Sequence, residues 1–273
     1  KSFLPSDYAL MVPKTSDGRV LFAVPWHDKI IVGTTDTLIK SHSLEPIALE
    51  SEIEFVLETA QRFLAKKPTR ADVLAVFAGL RPLAAPEKEG QSTKEVSRSH
   101  KIFVSETGLI TITGGKWTTY RKIAEDIIDK AISEKKLPKK ECKTEHLSIR
   151  GNQKTSTLDR ENHLYVYGSD IKNIMALQNN ALELKEKIHP DYDFTMAEVA
   201  WAIRYEMAIT LDDILARRVR LLFLDSRAAI SSCEKVARFM AKELGKDELW
   251  ITNQISEFKT IANGFLLPEF RSN

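Results

Sequence analysis

Over the first forty residues the apolar positions come in short runs separated by turn-forming residues. Tyr8-Ala9-Leu10-Met11-Val12, Val20-Leu21-Phe22-Ala23-Val24 and Lys29-Ile30-Ile31-Val32-Gly33 predict strands, and Asp17-Gly18 between the first two is a hairpin signal. Such short spacings imply an antiparallel meander. It ends in the polar Gly33-Thr34-Thr35-Asp36-Thr37, which suits either a cap for the next element or a ligand-facing loop. From 49 to 66 the period becomes helical: Ile53, Val56, Leu57, Ala60, Phe63 and Leu64 share one face, and Pro68 closes the run. Val73 to Leu80 is nearly continuous apolar sequence and predicts a buried strand that delivers Arg81 beside Pro82.

After a polar loop at 86–95, Val96 to Val104 and Leu109 to Ile112 predict a second hairpin around Ser105-Glu106-Thr107-Gly108. Strand alternation puts Arg98 and His100 on one face, a pair that suits a phosphate and equally a solvated sheet edge. The second strand of this hairpin runs into Gly114-Gly115-Lys116-Trp117-Thr118-Thr119-Tyr120-Arg121. A helix of roughly 118–136 follows, with Ile123, Ile127, Ile128, Ala131 and Ile132 at helical spacing.

Beyond a polar, proline-punctuated stretch at 133–141 the strand pattern stops, and past 150 helical faces succeed one another. Ile171, Ile174, Met175, Leu177, Ala181 and Leu184 outline the first. Thr195 with Glu198 forms a capping box ahead of Val199, Ala200, Ile203 and Met207, and Thr210 with Asp213 opens another helix. Ala229, Ile230, Cys233, Val236, Ala237, Met240 and Leu244 make a third face; Ile251, Ile255 and Phe258 make the last. These stripes predict the core of a helical bundle.

At 273 residues two medium domains are expected. The net charge of +2 is nearly balanced and both signs are interspersed, which argues against nucleic acid as a partner. Cys142 and Cys233 are far apart and without neighbouring His or Cys, so neither a disulfide framework nor a metal site is expected, and a reduced, cytoplasmic setting is the simpler reading. No apolar run has bilayer-spanning length, and the opening residues give no expectation of a signal peptide. The first residue is Lys1 and not methionine, so a processed product or a fragment is expected.

Charge gives the glycine pair its interest. Lys116, Arg121 and Lys122 lie where the helix dipole is positive and unpaired N–H groups collect, a poor place for cations unless an anion or an electron-rich carbonyl binds there. An ordinary tight turn with solvated side chains gives the same pattern.

Taken together in this order and spacing, Pro25-Trp26-His27-Asp28, Gly33 to Thr37, Ala78-Gly79-Leu80-Arg81-Pro82-Leu83, Ser97-Arg98-Ser99-His100 and Gly114 to Arg121 closely resemble the FAD-dependent glycerol-3-phosphate dehydrogenases. Arg204-Tyr205-Glu206-Met207-Ala208 and Asp212 to Arg218 resemble that family's helical domain. The resemblance implies an α+β fold, with an antiparallel-sheet substrate-binding portion of a flavin oxidoreductase followed by an all-α C-terminal domain. It divides the chain into 1–145, a partial FAD/substrate-binding domain, and 150–273. It implies oxidation of sn-glycerol 3-phosphate to dihydroxyacetone phosphate by hydride transfer to FAD, with quinone or oxygen as acceptor.

By the same resemblance Arg81 and Arg98 bind the substrate phosphate, Lys116 is the active-site lysine, and Gly114, Gly115, Lys116, Thr118 and Thr119 meet the flavin. His100 is a candidate base by its place beside Arg98, and a base upstream of Lys1 is the alternative. The Gly-x-Gly-x-x-Gly fingerprint that holds the FAD pyrophosphate is absent from the 273 residues, so this is expected to be a C-terminal portion, inactive alone. Peripheral contact with the inner face of a cytoplasmic membrane through the missing part, and a homodimer, are further expectations. A related flavin oxidase of a small amine or hydroxy acid, and a non-catalytic helical interaction module, are the competing readings.

Overall fold

Alternating burial along the first runs makes the expected meander. In the structure, a computed structural model that describes residues 2–81, 99–154, 159 and 162–271, β1 (Leu10–Val12), β2 (Leu21–Trp26) and β3 (Lys29–Gly33) pair antiparallel in the order β1-β2-β3. Leu10 faces Ala23, and Phe22 faces Gly33. Val12, Leu21 and Ala23 are buried on one face, while Met11, Phe22 and Val24 are exposed on the other. His27 and Asp28 make the two-residue turn between β2 and β3, both at positive φ as a twisted hairpin requires.

α1 (Glu50–Phe63) buries Ile53, Thr59 and Ala60. Its Glu52 accepts from Leu49 N–H at 3.2 Å and from Thr37 Oγ1 at 2.7 Å, so the polar loop ending at Thr37 is tied to the start of this helix. The run Val73 to Leu80 is not a strand. It is extended, but its backbone partners belong to the helical part of the chain: Val76 N–H donates to Phe265 O at 2.8 Å, and Ser226 N–H and Oγ donate to Leu74 O at 3.1 and 2.9 Å. Phe77 packs edge-on against Phe223 with centroids 5.0 Å apart. The apolar run therefore meets helices and not neighbouring strands, which periodicity cannot distinguish.

The chain divides into two compact units, Lys1–Gly79 with Gln153–Asn273, and Leu80–Asn152. In the second unit β4 (His100–Val104) and β5 (Ile110–Gly114) form an antiparallel hairpin, with Ile102 opposite Ile112. The earlier part of the expected strand from Val96, with Arg98, lies outside the described residues. A 3-10 turn at Trp117–Thr119 leads into α2 (Tyr120–Glu134). Cys142 is exposed.

The helical part of the first unit comprises α3 (Ile171–Asn180), α4 (Leu182–Lys185), α5 (Met196–Tyr205), α6 (Leu221–Leu224), α7 (Ser226–Leu244) and α8 (Glu248–Asn263), with a π-helical turn at Asp213–Arg218. Ile174, Val199, Trp201, Leu222, Met240 and Phe258 are buried in its core, as is Cys233. Glu198 is only 1% exposed yet fully engaged: it accepts from Thr195 N–H at 2.8 Å and from Tyr167 Oη at 3.2 Å, and lies 3.1 Å from His163 Nε2. Burial, with Glu198 beside it, pushes the Tyr167 phenol pKa well up. Small antiparallel sheets and a helical bundle are thus the α+β content expected, and no helix among the described residues is long and apolar enough to cross a membrane.

Three helical expectations are corrected. The face from Ile171 to Leu184 breaks after Asn180, because Ala181 is extended. Met207 is not on the capping-box helix, which ends at Tyr205; it sits at φ +60° and is 85% exposed. The helix opened by Thr210 is a π turn instead of an α-helix.

Asp213 holds this last turn together. Burial alone would raise its pKa, but N–H donation from Ile209 at 3.0 Å and Thr210 at 3.1 Å, with the Thr210 hydroxyl alongside, lowers it. A depressed folded-state pKa contributes stability that is present above the unfolded value and lost as pH falls through the folded one. The stability gap between wild type and Asp213→Asn, read by urea unfolding, should narrow below about pH 4. A gap that stays constant from neutral to acid pH would show that the carboxylate charge is irrelevant.

Candidate active site

Two glycines create the turn between β5 and α2. Gly114 has φ +76° and Gly115 has φ +88°, values that side chains resist. Gly114 pairs in register with His100, and a Cβ added to it would meet Ser99 O at 3.0 Å. A Cβ on Gly115 would come to 2.5 Å from Ile123 Cδ1 and 3.4 Å from His100 Cβ. The turn is therefore pressed against both β4 and the first turns of α2.

Beyond it, Lys116, Trp117, Thr118, Thr119 and Tyr120 are all exposed. Trp117 and Tyr120 stack with centroids 5.8 Å apart. Thr119 Oγ1 donates back to Lys116 O at 3.0 Å, and no side chain caps the start of α2. The N–H groups of Thr119 and Tyr120 donate to Lys116 O and Trp117 O in the 3-10 turn, and no side chain caps the start of that turn either.

The three cations near this helix start are treated differently. Arg121 Nη1 lies 2.5 Å from Glu125 Oε2; Lys122 Nζ lies 3.0 Å from Glu125 Oε1 and 3.0 Å from Asp126 Oδ1. Arg121 holds the Glu125 carboxyl below its ordinary pKa, and Lys122 does the same for Asp126. Lys116 has no ion-pair partner among the described residues. Of the misplaced positive charges, two are thereby explained within the helix, leaving Lys116.

His100 Nε2 lies 2.9 Å from Asp126 Oδ2, which joins β4 to the second turn of α2. Glu125 and Asp126 escaped attention in the sequence, although i,i+4 spacing from Arg121 and Lys122 signals both pairs. The 26-residue separation of His100 from Asp126 carries no such signal. Arg81 is exposed at the end of a described stretch, and Arg98 lies outside the described residues. His27 belongs to the other unit, where its ring lies 5.9 Å from Tyr165 and 6.1 Å from Phe194, and burial lowers its pKa. No group of three metal-ligating side chains occurs among the described residues.

A flavin's electron-rich pyrimidine edge asks for close backbone approach, free N–H donors and a cation. The Gly114-Gly115 turn, the uncapped start of the Trp117–Thr119 turn and Lys116 supply all three, so these residues fit FAD at that edge. They do not provide a pyrophosphate cradle.

A strand, a double-glycine turn and an exposed lysine ahead of a helix in one unit, with a helical bundle in the other, are the features expected of the C-terminal part of a flavin oxidoreductase. Residues 105–249 match the family model described as the C-terminal domain of alpha-glycerophosphate oxidase, more than half the chain, and the chain belongs to that family. The mitochondrial glycerol-3-phosphate dehydrogenase of Arabidopsis thaliana is 36% identical over 96% of the chain and 46% of that protein. That of Schizosaccharomyces pombe is 34% identical over 96% of the chain and 48% of that protein. The X-ray structure of glycerol-3-phosphate dehydrogenase from Bacillus halodurans complexed with FAD superposes with a TM-score of 0.78 at 26% identity, covering 97% of this chain and 55% of that one. The chain spans about half the length of these relatives.

Proposed function

We propose that this chain is the C-terminal portion of an FAD-dependent dehydrogenase that oxidises sn-glycerol 3-phosphate to dihydroxyacetone phosphate. What carries the reading is likeness along nearly the whole chain to proteins named for that activity, one of them complexed with FAD. In the full-length protein Arg81 and Arg98 bind the substrate phosphate, since a dianion is best met by two guanidinium forks. Lys116 places its ammonium between substrate and flavin, and Gly114, Gly115, Thr118 and Thr119 bring the start of α2 against the flavin pyrimidine. His100 accepts the C2 hydroxyl proton. Bound FAD supplies the acceptor for the hydride leaving C2.

The same reading takes 1–145 as the chain's share of the FAD/substrate-binding domain and 150–273 as a helical domain. Electrons pass on to a quinone, and the protein works from the cytoplasmic side of a membrane as a peripheral, dimeric enzyme. The mitochondrial designation of the relatives is compatible with a membrane-linked acceptor.

The test is glycerol-3-phosphate-dependent dye reduction by the full-length protein. Arg81→Ala should raise KM about tenfold to a hundredfold, the worth of one or two charge-assisted hydrogen bonds. A substrate panel including amines and hydroxy acids runs alongside it. No turnover of glycerol 3-phosphate by the wild type, or an unchanged KM in Arg81→Ala, would overturn the respective assignment.

A further inference from the structure

We propose that Asp126 is a positioning residue for His100, holding the imidazole in the tautomer that leaves Nδ1 as the proton acceptor. This rests on the reading of His100 as the base in glycerol 3-phosphate oxidation, but its structural core stands apart from it. Lys122 Nζ, 3.0 Å from Asp126 Oδ1, keeps that carboxyl ionised in the neutral range. The other carboxylate oxygen of Asp126 lies 2.9 Å from His100 Nε2. A carboxylate accepts and cannot donate, so a neutral imidazole facing it must carry its proton on Nε2. Nδ1 then holds a lone pair, and it has no hydrogen-bond partner among the described residues.

The location gives the tautomer its use. His100 is paired with Gly114, and its Cβ lies 3.4 Å from where a side chain at Gly115 would begin. The imidazole therefore stands at the turn that carries Lys116. Asp126 reaches it from one full helical turn beyond Lys122, so the bond also fixes ring orientation against two separate elements. With substrate and FAD bound in the full-length protein, the C2 hydroxyl proton would pass to Nδ1 as the C2–O bond becomes a carbonyl, and FAD would supply the two-electron acceptor for the hydride from C2. The alcohol thereby loses one proton and one hydride, and the imidazole becomes a cation facing the Asp126 carboxylate. An Asp behind a histidine base stabilises that cation and holds the ring in place.

Two measurements test this separately. In the 273-residue chain labelled with nitrogen-15 histidine, His100, assigned by its loss in His100→Gln, should show the Nε2–H tautomer, and Asp126→Asn should shift it toward a mixture. An Nδ1–H signature in the wild type overturns the proposal whatever the enzyme's substrate. In the full-length enzyme Asp126→Asn should lower kcat per bound flavin by at least about tenfold with KM within about twofold. Combining Asp126→Asn with His100→Gln should cost no more than His100→Gln alone. A variant that loses flavin or melts early but keeps its kcat per flavin would reduce Asp126 to a structural role and sink the proposal. A wild type that does not oxidise glycerol 3-phosphate would instead count against the function proposed above, leaving the tautomer result intact.

Discussion

Lys116→Ala in the full-length protein should lower kcat for glycerol-3-phosphate-dependent dye reduction by about 10²- to 10³-fold, the scale on which one well-placed electrostatic donor acts. The effect is expected to be large because no ion pair among the described residues engages Lys116. Its side chain is exposed, whereas Arg121 and Lys122 are engaged by Glu125 and Asp126. Its position after two positive-φ glycines sets it at the uncapped end of α2, where the helix dipole disfavours a cation unless negative charge develops opposite. Truncation should therefore leave unfolding unchanged to within about 0.5 kcal/mol, as for an ordinary surface position. Turnover within threefold of wild type would remove Lys116 from the active site.

Gly115→Ala should destabilise the chain by about 1–3 kcal/mol, measured by urea unfolding. Two separate penalties act there. A side chain at φ +88° is strained, and the new Cβ would lie 2.5 Å from Ile123 Cδ1. Gly18 isolates the first penalty: it has φ +79°, but an added Cβ meets nothing within 4 Å, so Gly18→Ala should cost only about 1 kcal/mol. Shortening Ile123 relieves the second, and in the Ile123→Val background the Gly115→Ala penalty should shrink. If Gly115→Ala and Gly18→Ala cost the same, the close approach of the turn to α2 is not tight. Because the same turn carries Lys116, any shift that accommodates the methyl group should also lower kcat in the full-length protein.

Much of the candidate site was legible because it is local. Gly114-Gly115 followed by a cation at a helix start is a statement about neighbouring residues, and backbone conformation and the helix dipole make it physical without any distant partner. The meander was legible for the same reason, since Asp17-Gly18 and the short spacings between runs imply antiparallel return, and the structure adds the two-residue turn at His27-Asp28. Capping at Thr195–Glu198 followed from a spacing of three. Arg98 was legible as half of a basic pair on a strand face, and its structural setting lies outside the described residues.

What could not be read is where partner choice is non-local. Val73 to Leu80 has the composition of a buried strand, yet its backbone bonds go to Ser226 and Phe265, far along the chain, because the helical bundle offers the apolar surface this run covers. Met207 continues a helical stripe in sequence, but α5 ends two residues earlier, and Ala208 N–H turns back to Ala202 O at 3.0 Å.

The amino-acid sequence by itself determined the meander, the second hairpin, the turn chemistry at Gly114-Gly115, the placing of Lys116 at a helix start and the family the motifs belong to. Each depends on residues a few positions apart, where local sterics and hydrogen bonding decide. Only the tertiary structure decided that Val73 to Leu80 lies against the helical part of its own unit, and that Asp126, 26 residues on, stands behind His100. Those outcomes depend on which surfaces bury one another, and packing selects among pairings that the linear order leaves equal.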